Sequence, residues 1–188
     1  MLFTAVETMV DEAQSGFSLT PATLLELHRV AIQDLYVCAG KFRESRVLLM
    51  RNGRVDFHRH QPPDWTRVVP LVEEMCKYVN DNFGKSGVHL ASYTMWRHNW
   101  IHPFNGGNGR TSRALSYLLL NVRLGFNLPG ENTIAQQIET DRGPYFAALH
   151  AADEAERQGG LDVSVMEELI SNMLAAQLLS VHNKAVGK

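Results

Sequence analysis

Ile101–Arg113, IHPFNGGNGRTSR, gathers a histidine, three glycines and two arginines into one short stretch. Gly106, Gly107 and Gly109 tolerate positive φ, so a loop built on them can turn its backbone N–H groups toward one point. The run behind it, RTSRALSYLLLNVRL, reads as a helix, and a helix start is itself a site for anions. Arg110 and Arg113 stand three apart, on neighbouring parts of one helical face. A helix N-terminus already carries partial positive charge and favours acids, so two cations there oppose it and each other. A polyphosphate changes the sign of every one of those terms. The spacing therefore predicts a site for a strongly anionic group.

His102 adds a reaction to the binding. Pro103 biases it away from helical backbone, so His102 should end the preceding helix and stand in the loop. A neutral imidazole there can take the proton of an attacking hydroxyl. Phe104 is read as pointing inward and anchoring the loop. A glycine-rich turn with two solvated arginines is the competing reading, and the nearby His102 weighs against it.

The elements that must hold these residues are mostly helical. Residues 1–14 form a short amphipathic helix with Leu2, Val6 and Val10 at near-helical spacing. SLTPATLLELHRVAIQDLYVCAG opens with Thr20 as cap and Pro21 at the first helical position, and Gly40 stops it. Its buried side is Leu24, Leu25, Leu27, Val30, Ala31 and Leu35. In RVLLMRNGRVDFHRH, β-favouring residues flank Asn52-Gly53, a strong hairpin signal. Helical patterning returns after Pro62-Pro63, with Pro70 near a helix start or at a kink. GVHLASYTMWRHNWIH is a bulky, central helix that keeps Trp96 and Trp100 in the core. Further helices follow in TIAQQIETDRGPYFAALHAADEAERQ and DVSVMEELISNMLAAQLLSVHN. The last carries an apolar stripe, Val165, Leu169, Met173 and Leu174, whose simplest use is docking on the core.

A chain of 188 residues, 45% of them apolar, suits one domain with a real core. A net charge of −2 gives no general attraction to nucleic acid or an anionic membrane, so neither is expected as a partner. The N-terminus is too acidic for a signal peptide and no apolar run reaches bilayer length, which points to the cytoplasm. Cys38 and Cys76 are isolated and read as reduced thiols. His98 and His102 have the spacing of helical zinc ligands, but Pro103 ends the helix and no third ligand follows, so no metal site is expected.

HPFNGGNGR followed by TSR resembles the signature of the Fic family, H-x-F-x-[D/E]-G-N-G-R-x-x-R. TPATLLELHRVAIQDLYVCAGKFRESRVLLM is similar to the region before the Fic core, a helix leading to a glycine, an arginine and a flap, and DRGPYFAALHAADE to the helix after it. The resemblance implies a mainly α Fic-type helical bundle with a small β-hairpin flap. It covers about residues 19–155, within a single domain 1–188 to which helices 1–14 and 162–182 are appended. It implies a protein adenylyltransferase, moving AMP from ATP to a hydroxyl of a target protein. His102 would deprotonate that hydroxyl. Gly107, Asn108 and Gly109 would form the anion hole, with a side-chain hydrogen bond from Asn108. Arg110 would hold the α- or β-phosphate region and Arg113 the γ-phosphate. Tyr145 falls where an aromatic approaches the adenine. The flap would pin the target segment by main-chain pairing, with Leu48 and Met50 on one face and Leu49 on the other; a hairpin that merely caps the core fits the sequence equally well. His58, Arg59 and His60 add positive charge there.

One position departs from the family. The acidic residue that holds Mg²⁺ in the resemblance is Gly106 here, and Asn105 beside it is a weak, neutral substitute. Mg²⁺ would then arrive with the ATP. Three readings follow: transfer with nucleotide-borne Mg²⁺, altered chemistry with transfer of another phosphate-linked group, or a nucleotide-binding scaffold with weak or no transferase activity. The first is preferred because His102, Asn108, Arg110 and Arg113 are all present. Thr8 to Glu12 and Ser164 to Glu168 have the spacing of the family's inhibitory motif, but Ala13 and Leu169 break it. That leaves open a separate inhibitory protein or none; a homo-oligomer is open too.

Overall fold

In the computed structural model of the chain, residues 2–13, 16–32, 39–51, 54–55 and 60–187 are described. The described residues are mainly helical: α1 (Leu2–Glu12), α2 (Pro21–Ala31), α3 (Val68–Asp81), α4 (Gly87–Ile101), α5 (Asn108–Leu124), α6 (Ile134–Thr140), α7 (Gly143–Arg157) and α8 (Ser164–Ala185). Two short strands, β1 (Met50–Arg51) and β2 (Arg54–Val55), pair antiparallel with Met50 opposite Val55. The Asn52-Gly53 turn and His58–Arg59 lie outside the described residues, as do Leu35 and Cys38.

Helices α4 and α5 make the largest contact in the molecule and form its centre. They run antiparallel: a Cβ on Gly87, at the start of α4, would lie 2.9 Å from Arg123 Cβ near the end of α5. Glycine is needed there for the close approach. The glycine-rich loop is the connection of this helical hairpin, so whatever stiffens the hairpin stiffens the loop. Ser86 caps α4 through the His89 N–H, and Trp96, Leu90, Met95 and Ile101 fill its buried faces against Leu115, Leu118 and Leu119 of α5. With buried residues all around, α4 behaves as an interior helix.

The outer helices close over this pair. Val6 and Val10 bring α1 into the core against α5, and Met166, Ile170 and Met173 bring in α8. The helices at both ends of the chain thus share one core with the rest. Of the stripe expected on α8, Met173 is buried and Leu169 and Leu174 pack against the core, while Val165 is 46% exposed; Met166, Ile170 and the amide of Gln177 also face inward. Gln177 adds polar contacts to that face. Its side chain takes the Ile134 N–H and donates to the Pro129 carbonyl, a polar tether that the apolar pattern does not reveal. Pro70 sits in the first turn of α3, where its missing N–H costs nothing. No helix among the described residues is long and apolar enough to cross a membrane.

Candidate functional site

The loop begins where α4 stops. His102 caps that helix with φ 51° and ψ 60°, and its N–H still reaches the His98 carbonyl at 2.9 Å. The helix ends where Pro103 requires, yet His102 is left-handed and not extended. For a residue with a Cβ that conformation costs about 1–2 kcal/mol. Neighbouring bonds must hold it there, and Arg43 Nε donates to the His102 carbonyl at 2.8 Å.

Beneath the loop, Phe104 is fully buried, as expected of an anchor. The His28 ring stacks on it at 3.6 Å and 6°, with Phe42 on a wider contact at 5.5 Å. His28 has a defined tautomer. Its Nδ1 accepts the Gly40 N–H at 3.0 Å, so Nε2 carries the proton and donates to the Gly106 carbonyl at 3.0 Å. Burial pushes the His28 pKa down, and the nearby Arg110 charge adds to that, against the opposing effect of the Gly106 bond. Asn108 is buried too. Its carboxamide spans Phe104, accepting the Phe104 N–H at 3.0 Å and donating to the Phe104 carbonyl at 2.8 Å. The side chain assigned by resemblance to phosphate thus braces the loop.

The other end of the loop is open. Gly107 precedes α5 at φ 78°, and a Cβ there would lie 2.3 Å from Ile32 Cγ2. Only glycine fits on both counts. Gly107 has no side chain to cap α5, and an uncapped helix start is the kind that can take an anion. Arg110 donates to the Ala31 carbonyl at 3.0 Å, and Arg113 pairs with Glu139 of α6 at 2.8 Å. Arg113 also folds back over the helix start, since a Cβ on Gly109 would lie 3.4 Å from its Nη1. Both guanidinium groups line a cavity of about 160 Å³, walled by Val6, Tyr117, Gln136 and Glu139.

Other expected residues fall elsewhere. Tyr145 is a core residue at 3% exposure that does not line this cavity; its hydroxyl accepts from Asn99, whose amide also donates to Ser112 on α5. Leu48 is 41% exposed and the Leu49 N–H donates to Gln61, while Met50 pairs in β1. His60 does not add the expected positive charge. It stacks on Trp100 at 4.6 Å, and burial pushes its pKa down. At the position of the family's acid, Gly106 has no side chain, Asn105 is exposed and neutral, and the described residues hold no cluster of acids, histidines or cysteines suited to a metal. Gly106 therefore offers no carboxylate to a Mg²⁺ ion at that position. His28, Asn99 and Glu139 were missed in the sequence, and no role was read for Arg43 beyond an arginine ahead of the flap. His28 left a signal of its own, as a polar residue among Leu24, Leu27 and Ala31 on the buried face of α2.

The profile of the Fic/DOC family matches residues 18–120, more than half of the chain. The chain belongs to the Fic/DOC family. It is 31% identical over 141 residues to a protein adenylyltransferase Fic of Drosophila persimilis, covering 73% of this chain and 25% of that protein. To protein adenylyltransferase fic-1 of Caenorhabditis briggsae it is 29% identical over 133 residues, 69% of this chain and 23% of that protein. The chain thus spans about a quarter of the length of these relatives. Among solved structures, a Fic family protein from Desulfovibrio desulfuricans superposes with a TM-score of 0.71 at 21% identity, over 94% of this chain and 51% of that one. Residues 134–508 of Fic-1 from Caenorhabditis elegans give 0.71 at 19% identity, over all of this chain and 51% of that one.

Proposed function

We propose that the chain binds ATP at the start of α5, beside this cavity, and transfers AMP to a hydroxyl side chain of another protein. One observation carries the reading: the helix start at Gly107 is uncapped, admits no Cβ, and has both arginines on the wall of one cavity. In the reaction, the target hydroxyl oxygen attacks the α-phosphorus. A new O–P bond forms as the bond to the α–β bridging oxygen breaks, and pyrophosphate leaves. His102 takes the hydroxyl proton. The first N–H groups of α5, at Asn108 and Gly109, face the phosphates, and Gly107 lets the backbone approach. Arg110 holds the α- or β-phosphate region. Arg113 exchanges Glu139 for the γ-phosphate and stabilises charge building on the leaving group. Leu48, Leu49 and Met50 receive the target chain as an added strand beside β1. Mg²⁺ enters with the nucleotide, and no step here is assigned to it. Intact-mass measurement after incubation with ATP and Mg²⁺ tests this: AMP should appear on a protein, and His102→Ala should abolish it while nucleotide still binds. Label persisting in that variant would sink the assignment.

Gly106 favours a second reading, a nucleotide-binding protein without turnover. It predicts saturable binding by calorimetry and no transfer with any metal. Gly106→Asp separates the two, because a sharp gain in labelling identifies the missing carboxylate as the limit on an otherwise intact site.

A further inference from the structure

Arg43 is 2% exposed, yet among the described residues its side-chain partners are all main-chain oxygens. Nε donates to His102 O at 2.8 Å, Nη1 to Ser45 O at 3.0 Å, and Nη2 to Pro63 O at 2.6 Å and Ile101 O at 3.4 Å. Its own N–H donates to Pro103 O at 2.9 Å. Three consecutive carbonyls, 101 to 103, thus end on one residue. They need it. The last carbonyls of a helix have no intrahelical partner, and the usual relief from a following N–H is denied because residue 103 is proline. Burying a cation costs several kcal/mol unless something compensates. Here the negative end of the α4 dipole and four carbonyl oxygens do so, with Asp64 contributing attraction from a distance.

The remaining two acceptors show what the arrangement is for. Ser45 and Pro63 are the two feet of the segment 46–62, which carries β1 and β2. A single planar guanidinium therefore fixes the backbone of His102 to both feet of the hairpin. We propose that Arg43 is a positioning residue, holding His102 in its left-handed conformation and at a fixed offset from the hairpin that receives the target. This rests on the adenylyl-transfer reading, with His102 as the base. A proton acceptor works only within hydrogen-bond reach of the attacking hydroxyl, and the hydroxyl arrives on the hairpin side. Lysine cannot stand in: its ammonium is a point donor without the planar fork that spans divergent carbonyls.

The test has one arm that needs no activity. In the wild-type chain, NMR should show a resolved, slowly exchanging Arg43 Nε–H with a hydrogen-bond scalar coupling to the His102 carbonyl carbon. A fast-exchanging, averaged signal overturns the proposal, whether or not any variant folds. Arg43→Lys should move the His102 Cα and Cβ shifts away from left-handed values while the Gly107 and Gly109 amides still respond to ATP. Unchanged His102 shifts also overturn it. In the transfer assay, Arg43→Lys should lower kcat on the order of 10- to 100-fold, the penalty of a misplacement near 1 Å, with KM for ATP within about 3-fold of wild type. A loss carried equally by KM for ATP would reduce Arg43 to a general structural role and end the proposal. If wild type transfers nothing, the function fails while the NMR arm still decides whether Arg43 sets the His102 backbone.

Discussion

The two ends of the glycine loop, His102 and Gly107, are five residues apart and built on opposite principles. At the His102 end, the helix terminus is over-supplied: Arg43 takes the carbonyls of Ile101 and His102, and its N–H takes that of Pro103. At the Gly107 end, the helix terminus is left uncapped, and its arginines lean on the replaceable acceptors Ala31 O and Glu139. If His102 is the proposed proton acceptor, it needs a fixed place, and its strained backbone is clamped. If the start of α5 is the proposed anion site, it needs unspent donors, and its arginines are parked on acceptors that a ligand can replace. On the proposed function, the contrast separates residues that hold the site from residues that would meet a ligand.

Gly107→Ala is the sharpest way to break the open end. The new Cβ meets Ile32 Cγ2 at 2.3 Å and must adopt φ 78°. Steric overpacking and the left-handed penalty together should cost about 2–4 kcal/mol of stability by denaturant unfolding, with nucleotide binding lost. A variant as stable as wild type would mean that Ile32 yields freely. Next in size are the cations. Arg110→Ala and Arg113→Ala should each weaken ATP about 10- to 100-fold by calorimetry, the worth of a hydrogen bond to a charged group. AMP should feel Arg110 but not Arg113. Equal losses for ATP and AMP in Arg113→Ala would place that arginine away from the γ-phosphate.

Under the closed end lies His98, fully buried, with neither ring nitrogen hydrogen-bonded among the described residues. Burial pushes its pKa down to about 3, helped by His102 and His28. The unfolded chain takes up this proton near pH ~6.5, so the neutral ring's contribution is complete above that value. It is lost as pH falls toward the folded pKa, at about 1.4 kcal/mol per pH unit. His28, also lowered by burial, adds in the same direction beneath the open end, where a second ring proton would evict the Gly40 N–H from Nδ1. Unfolding between pH 7 and pH 4 should therefore be steeper for wild type than for His98→Leu. Parallel curves would mean that His98 is hydrated in the fold.

The sequence singled out the open end and left most of the closed end unread. Gly107, Arg110 and Arg113 stand out by local spacing, and local spacing is what a sequence displays. The start of α2 was legible for the same reason, since Thr20 caps it as read; Ser86 and Thr133 cap α4 and α6 in the same local way. Arg43 was not legible as a clamp, because its partners lie 20 and 59 residues away and are main-chain oxygens without side-chain identity. Asn108 was legible by type, but only the fold shows both ends of its amide on Phe104. On α8 the expected stripe docks except for Val165, and the buried Gln177 was not legible because it is held by its hydrogen bonds. Residues defined by tertiary main-chain contacts escape pattern reading.

The smallest effect is the most pointed about parking. Glu139 sits on α6, a short helix held by the Thr133–Gln136 capping box and by Gln137, which donates to Met173 O on α8. Its carboxylate is therefore presented to Arg113 by a tethered element. The Glu139 side chain is 53% exposed and that of Arg113 is 12% exposed, so the pair is solvent-screened and worth about 1 kcal/mol or less. A γ-phosphate must displace it. Glu139→Gln removes the competing charge while keeping shape, and ATP should bind about 2- to 5-fold tighter with AMP unchanged. Stability should hardly move. If ATP instead binds more weakly, Glu139 does not compete with the phosphate but orients Arg113 toward it, and the open end is as firmly held as the closed one.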